Sequence, residues 1–289
     1  MSPNKATALV TGASGFIGRH VVRHLADAGY AVTALDLREP DPTHPREVRS
    51  VTCDIRDGNL PEGSFDTIIH LAALGGVRPS MERPSDYVAT NIGGTIRLLE
   101  WARQRAVKRV IFASSSSVYG ATDGTPSTED DPLSPCSPYA LTKVQGEQWG
   151  QLYSEKHGID FIGLRLFAVW GDGQRPDLAL ESFRRKILAG EAITVHGDGS
   201  QRRDLTHVSD VARAVEQAID WEGCGFEVFN VGTGRNHSVN DMLRAAEAWT
   251  GVAAKVNYGP AHPADVPATL ADVRKARELL RWEARVAFA

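Results

Sequence analysis

The chain predicts an α/β fold, a doubly wound parallel sheet with a smaller, interleaved α/β lobe, on three observations. Short apolar runs alternate with helical patterns up to about residue 165, the rhythm of successive βαβ units. A glycine-rich turn, Thr11-Gly12-Ala13-Ser14-Gly15-Phe16-Ile17-Gly18, joins the first run to the first helical pattern. Beyond Gly171 the rhythm breaks into short segments punctuated by glycine and proline. A second lobe folded over the carboxyl ends of the strands accounts for that break, since open α/β sheets take their ligands in that crevice.

The elements follow in order. Ala6-Thr7-Ala8-Leu9-Val10 and Ala31-Val32-Thr33-Ala34-Leu35 read as the first two strands, and Ser50-Val51-Thr52-Cys53 and Thr67-Ile68-Ile69-His70-Leu71 as the next two. A helix is predicted over about 85–105, with Val88, Ile92, Ile96 and Leu99 on one face. Residues 107–113 form a continuous apolar run, the mark of a strand covered on both sides. A helix over about 139–157 and the strand 161–164 follow. Further on, a helix is predicted over 180–188, a tight turn at Gly197-Asp198-Gly199-Ser200, a strand over 226–231 returning to the main sheet, and a helix over 239–249.

The 289 residues suffice for one large α/β domain and a smaller lobe. Hydrophobic content of 42% and charged content of 24% are those of an ordinary globular chain. A net charge of −4, with no basic cluster interleaved with aromatics, gives no reason to expect nucleic acid as a partner. No signal-peptide pattern and no membrane-spanning apolar run is evident, so no membrane partner and a cytoplasmic setting are expected. Cys53, Cys136 and Cys224 are odd in number and far apart, which suits a reducing compartment and not a metal site. His20 and His24 share a helix face but have no third ligand, so no metal is expected.

The glycine turn carries the first chemistry. Glycines let the backbone approach a pyrophosphate while the N–H groups at a helix start face it. Its spacing is G-x-x-G-x-x-G, and Asp36 closes the next strand eighteen residues after Gly18. An acid near that spacing accepts hydrogen bonds from both hydroxyls of an adenosine ribose. It also repels the 2′-phosphate of NADP, so NAD is favoured, with Arg38 close enough to soften the repulsion.

Tyr139 and Lys143 form Tyr-x-x-x-Lys at a predicted helix start, so both side chains lie on one helix face. A phenol titrates near 10, and making it a base near neutrality takes about three units, roughly 4 kcal/mol. One cation about 4 Å away at an effective dielectric of about 20 supplies roughly that. Lys143 together with a positive nicotinamide ring would make Tyr139 a competent base. Ala113-Ser114-Ser115-Ser116-Ser117-Val118-Tyr119-Gly120 ends an apolar strand, which places its hydroxyls at the crevice rim.

The glycine turn, Asp54-Ile55, His70-Leu71-Ala72-Ala73, the serine run and Ser137-Pro138-Tyr139-Ala140-Leu141-Thr142-Lys143 resemble the extended short-chain dehydrogenase/reductase superfamily. Within it the chain resembles the NAD-dependent nucleotide-sugar epimerases and dehydratases, of the UDP-glucose 4-epimerase type. The resemblance implies a Rossmann domain binding NAD over 1–167, with a return segment at about 207–233. The segments 168–206 and 234–289 would form the substrate lobe. It implies that Gly12, Gly15, Phe16, Ile17 and Gly18 seat the pyrophosphate and Asp36 the ribose. Asp54 and Ile55 would flank adenine; Leu71, Ala72, Ala73, Leu74, Asn91 and Phe167 would line the dinucleotide. Ser115, Tyr139 and Lys143 would be the catalytic residues, the last two also touching NAD. Ser116, Ser117, Ala168, Val195, Arg203 and Asp265 fall on the substrate side, with Arg203 clamping a diphosphate and Asp265 holding a nucleotide ribose. Relatives commonly dimerise through the helices at 85–105 and 139–157, so a homodimer is expected.

Dehydratases of this kind follow their active-site Thr with an Asp-Glu pair, and here Ser116 and Ser117 stand there. That favours epimerisation at C4 of a UDP-hexose, UDP-N-acetylhexosamine or UDP-uronic acid. Decarboxylation, a dehydratase with its acid and base elsewhere, and a silent NAD-sensing protein stay open. Arg78 in Gly76-Val77-Arg78-Pro79-Ser80 suggests an anionic sugar, against the equal reading of a loop arginine. Three departures stand out: Ala168 replaces a customary Asn, His262 a frequent Arg, and the chain ends at Ala289, where relatives continue into another helix.

Overall fold

The computed structural model describes residues 5–57, 60–122, 124–261 and 266–288. The first half runs β1 (Lys5–Thr11), α1 (Phe16–Asp27), β2 (Tyr30–Asp36), β3 (Arg49–Thr52), β4 (Thr67–His70), α2 (Val77–Glu82) and α3 (Pro84–Tyr87). A π-helical turn (Val88–Gly93) leads into α4 (Gly94–Gln104), then β5 (Arg109–Ser115), a 3-10 turn (Ser116–Tyr119), α5 (Pro138–His157) and β6 (Asp160–Leu166). Then come β7 (Ala168–Trp170), α6 (Ala179–Ala189), β8 (Ala192–His196), β9 (Arg202–His207), α7 (Val208–Asp220) and β10 (Phe226–Val231). Last are β11 (Asn236–Ser238), α8 (Val239–Thr250), β12 (Lys255–Gly259) and α9 (Arg274–Leu279).

Seven parallel strands form the main sheet in the order β10-β6-β5-β4-β1-β2-β3. Strand order reverses between β1 and β4, and there the carboxyl ends open a crevice. Alternation along the strands sends side chains to both faces. Ala8 and Val10 of β1 and Ile111 of β5 join one core with Val21, Leu25 and Val211 of α1 and α7. Leu9, Val110 and Phe112 join the other with Leu98 and Leu99 of α4 and Tyr153 of α5. Two covered faces explain why these strands read as unbroken apolar runs. As expected, the 226–231 segment returns to the main sheet as β10, beside β6.

The second half builds two small sheets over the strand ends, β11-β9-β7 and β12-β8. Leu180, Phe183 and Ile187 of α6 and Met242, Leu243 and Ala246 of α8 close a separate core against Ile193, Val195 and Leu205. The last described segment is tied back to α7. Trp282 Nε1 donates to the Asp210 carbonyl at 2.9 Å, and the Asp210 carboxylate accepts from the backbone of Arg285 and Val286 at 3.0 and 2.9 Å.

One element differs from expectation. The helix over 85–105 is interrupted by the π-helical turn, and Val88, expected on the inner face, is 51% exposed. A π turn inserts one residue into the repeat and rotates the following face. The buried face is therefore Asn91, Thr95, Leu98, Leu99 and Ala102, with Ile92 and Ile96 at its margin. The rotation brings a polar side chain, Asn91, inward beneath the crevice.

Candidate active site

The crevice is a cleft of about 1750 Å³ running from the β2 end to the small sheets. At one end is the glycine turn. Gly12 has φ +70°, and a Cβ there would lie 2.7 Å from the Ala72 nitrogen; one on Gly15 would lie 2.9 Å from the Gly12 carbonyl. No described side chain caps α1, so the N–H groups of its first turn face the cleft without a competing acceptor. Asp36 accepts from Ser14 N and Arg38 N, both at 2.9 Å, and pairs with Arg38 Nε at 3.2 Å. Asp54 is gripped in the same manner by Arg56, which holds its carboxyl below the ordinary range. A bare helix start, a backbone cradle without room for Cβ atoms and an acid at the next strand end fit a dinucleotide such as NAD.

Gly12, Gly15, Phe16, Ile17, Gly18, Asp36, Asp54, Ile55, Leu71, Ala72, Ala73, Leu74 and Phe167 all line this cleft. Asn91 does not. Its amide accepts from Leu74 N at 2.8 Å and donates to Leu74 O and Thr142 Oγ1 at 3.0 and 3.1 Å. A side chain so satisfied shapes the wall from behind instead of touching what lies in front of it.

Beneath the floor runs a chain of hydroxyls that fixes a histidine. Ala72 N–H donates to Thr11 Oγ1 at 3.2 Å, and Thr11 bonds His70 Nδ1 at 2.8 Å. On the far side His70 Nε2 bonds Thr95 Oγ1 at 2.9 Å, whose proton goes to the Asn91 carbonyl. Those directions leave His70 its proton on Nε2 alone. Burial, with the Lys143 charge, pushes its pKa down to about 3, so it stays neutral.

Ser137 caps α5 by accepting from Ala140 N at 3.1 Å, and Pro138 occupies its first turn, a pairing that fixes where a helix begins. That start places Tyr139 on the cleft wall and Lys143 one turn deeper. Gly146 and Gly150 let α5 lie directly on Phe112 and Phe161. Lys143 Nζ donates to the Ala113 carbonyl at 2.6 Å and lies 4.8 Å from the Phe112 ring centroid. Burial brings its pKa down to about 8. Ser115 Oγ accepts from Ser117 N and Ser117 Oγ at 3.2 and 2.9 Å.

The electrostatics of Tyr139 differ from the simple pairing expected. Lys143 Nζ lies 5.8 Å from the Tyr139 ring centroid, and burial raises the phenol above its ordinary value. A hydrogen bond with Ser115 and the charge of Arg175 pull it the other way. Lys143 spends its short contact on Ala113, so it does not by itself outweigh desolvation of the phenolate.

Arg175 is a cleft-lining cation that motif reading passed over. Its Nε and Nη2 engage Asp177 at 2.9 and 2.8 Å. Its Nη1 presses on the backbone at Gly75, where a Cβ would lie 2.5 Å away. Only its loop setting, Gly171-Asp172-Gly173-Gln174-Arg175-Pro176, was legible; its place on the cleft that Tyr139 also lines comes from a fold-back no local pattern records. Glu147 was missed too. Buried, it takes Arg165 Nε and Nη2 at 3.0 and 2.9 Å and the Ser114 hydroxyl, tying α5 to the ends of β5 and β6. Its spacing from Lys143, one helical turn, was the available signal.

Of the residues expected to meet the substrate, Arg78, Ser116, Ser117, Ala168, Val195 and Arg203 line the same cleft. Arg203 Nη1 is anchored on the carbonyls of Arg202 and Val266 at 2.8 and 2.9 Å. Arg78 is exposed on α2. Asp265 and His262 lie outside the described residues.

The chain is similar to known proteins along nearly its whole length. The UDP-glucuronate 4-epimerase of Thermodesulfobacterium geofontis is 36% identical, over 96% of this chain and 91% of the relative. The solved structure of MoeE5 with UDP-glucuronic acid and NAD superposes with a TM-score of 0.91 at 40% identity, covering 97% of this chain and 94% of that one. The UDP-glucuronic acid 4-epimerase of Bacillus cereus, with UDP-glucuronic acid and NAD, gives 0.88 at 32%, covering 97% and 95%. The NAD dependent epimerase/dehydratase family matches residues 8–232, and the chain belongs to it.

Proposed function

We propose that this chain is an NAD-dependent epimerase inverting C4 of a UDP-hexuronate, UDP-glucuronate in the first instance. The observation that supports the choice of sugar is the Arg175 guanidinium, which packs against Gly75 and lines the same cleft as Tyr139. A planar cationic fork on the wall of that cleft suits a carboxylate on the sugar ring, and Asp177 is the carboxylate it holds here.

Oxidised NAD, when bound, would supply a hydride acceptor and a positive charge. Tyr139 takes the proton of the C4 hydroxyl as C4 is oxidised, and returns it to the same oxygen when C4 is reduced again on its other face after the sugar has turned. Ser115 steadies the phenolate and the sugar hydroxyl, and the Lys143 ammonium adds positive charge from below. Arg203 holds the diphosphate as the sugar turns. Ser116 and Ser117 offer no group able to expel water at neutral pH, which supports epimerisation over dehydration.

The lobe of residues 168–206 and 234–289 is assigned to the substrate in this reading, and 1–167 with 207–233 to the cofactor. A homodimer goes with it. Met81, Val88, Leu141 and Leu152 are 56, 51, 47 and 42% exposed on adjoining helices, an apolar face that a second copy would cover. A cytoplasmic setting is supported by three cysteines, none in a disulfide.

The test incubates the purified chain with UDP-glucuronate and with UDP-glucose and follows each sugar by NMR. The reading expects UDP-galacturonate, with no net NADH and with UDP-glucose turned over far more slowly. Release of carbon dioxide or water, or preference for the neutral sugar, would contradict it.

A further inference from the structure

Past the glycine turn, the next two residues of α1 reach the main chain of the 171–178 loop. Arg19 Nη2 donates to the Gly173 carbonyl at 2.7 Å, and His20 Nε2 bonds the Asp172 carbonyl at 2.9 Å. A carbonyl only accepts, so His20 carries a proton on Nε2 in this contact. The loop is pressed onto these side chains. Gly173 has φ +71°, and a Cβ there would lie 2.8 Å from the Arg19 guanidinium carbon. Gly171, at φ +140°, leaves similarly little room against Val208.

The same guanidinium faces the segment on the other flank of the turn. Arg19 Nη1 lies 3.9 Å from Asp41 Oδ2. That segment is itself pinned to the turn, Ser14 Oγ donating to the Glu39 carbonyl at 3.0 Å and His44 Nε2 bonding the Ala13 carbonyl at 3.2 Å. Arg19 therefore ties together the two segments that flank the pyrophosphate seat. One of them carries Arg175 into the cleft.

We propose that Arg19, seconded by His20, is a positioning residue that latches the 171–178 loop across the dinucleotide seat. It retains the cofactor through turnover and fixes where Arg175 stands. The inference rests on the dinucleotide seat and not on which sugar is bound. Retention matters for this chemistry, because the hydride taken from a sugar has to be given back before the reduced dinucleotide leaves.

The test measures release of bound NAD from the full chain, chased with excess labelled NAD below the melting transition of every variant. Arg19→Met keeps the bulk of the side chain without its donors and is expected to release NAD about tenfold faster, the scale of one lost charge-assisted hydrogen bond. It should also accumulate absorbance at the reduced-cofactor wavelength during turnover, as stranded NADH. Arg19→Lys is expected to recover part of the loss, and His20→Phe to show a smaller acceleration. Release within about twofold of the parent in both R19M and H20F overturns the latch. A parent chain that neither carries nor takes up NAD overturns the seat, and the latch with it.

Discussion

The two halves of the cleft hold their ligands by different means. The cofactor half works mainly with backbone: the glycine turn and the start of α1 come from one stretch, Gly12 to Gly18, with no side chain capping the helix. The half assigned to the substrate in the proposed function is lined by long side chains brought from separate places, Arg175 from a loop after β7 and Arg203 from β9, against Ala168 and Val195. A backbone cradle is set by the fold and serves any reaction that uses the dinucleotide. A set of side chains on loops and short strands is changed one residue at a time, and in the proposed function it would decide which sugar is accepted.

The contrast is most exposed where the halves meet, at Tyr139. Tyr139→Phe removes the phenol proposed to carry the proton of the reacting hydroxyl and should lower kcat by roughly a thousandfold or more. Bound NAD, assayed after heat release, should remain at the parent level. Loss of NAD along with activity would break the division between the halves.

Arg175→Met comes next. The kcat/KM for UDP-glucuronate should fall about a hundredfold, the worth of a charge-assisted fork, while that for UDP-glucose changes little. An equal loss for both sugars would make Arg175 structural.

A smaller effect is expected from pH. The Lys143 ammonium, its pKa brought down to about 8 by burial, should give kcat an alkaline limb near that value, falling about tenfold per unit above it. The unfolded chain keeps that proton to about 10.4. Between the two values it binds more protons, so this group makes stability rise with pH. The limb should therefore appear with no loss of melting temperature attributable to Lys143; a limb that tracks unfolding would contradict it.

The smallest concerns the cofactor itself. Arg38 partly neutralises Asp36, so Arg38→Ala should sharpen discrimination against NADP by a few-fold, read as a ratio of dissociation constants. A gain of NADP affinity would reverse the assigned roles.

What the sequence discloses divides along the same line. The parallel sheet was legible because burial on two faces writes continuous apolar strands, and the dinucleotide turn because its glycines lie within one short stretch. Tyr139 and Lys143 were legible because one helical turn separates them. Their energetics were not, since the Lys143 contact with Ala113 and the burial of the phenol are tertiary. Arg175 was hidden because its neighbour Gly75 lies far away in sequence. The inward face of the helix before β5 was misjudged because hydrophobic periodicity assumes an unbroken repeat, and the π turn at Val88–Gly93 breaks it.

The most direct test of one phenol and one retained cofactor acting at C4 uses UDP-glucuronate deuterated at C4, turned over in ordinary water. The inverted product is expected to keep its deuterium at C4, because the hydride leaves and returns within one active site. Hydrogen from solvent at that carbon, with deuterium lost to the medium, would contradict the account.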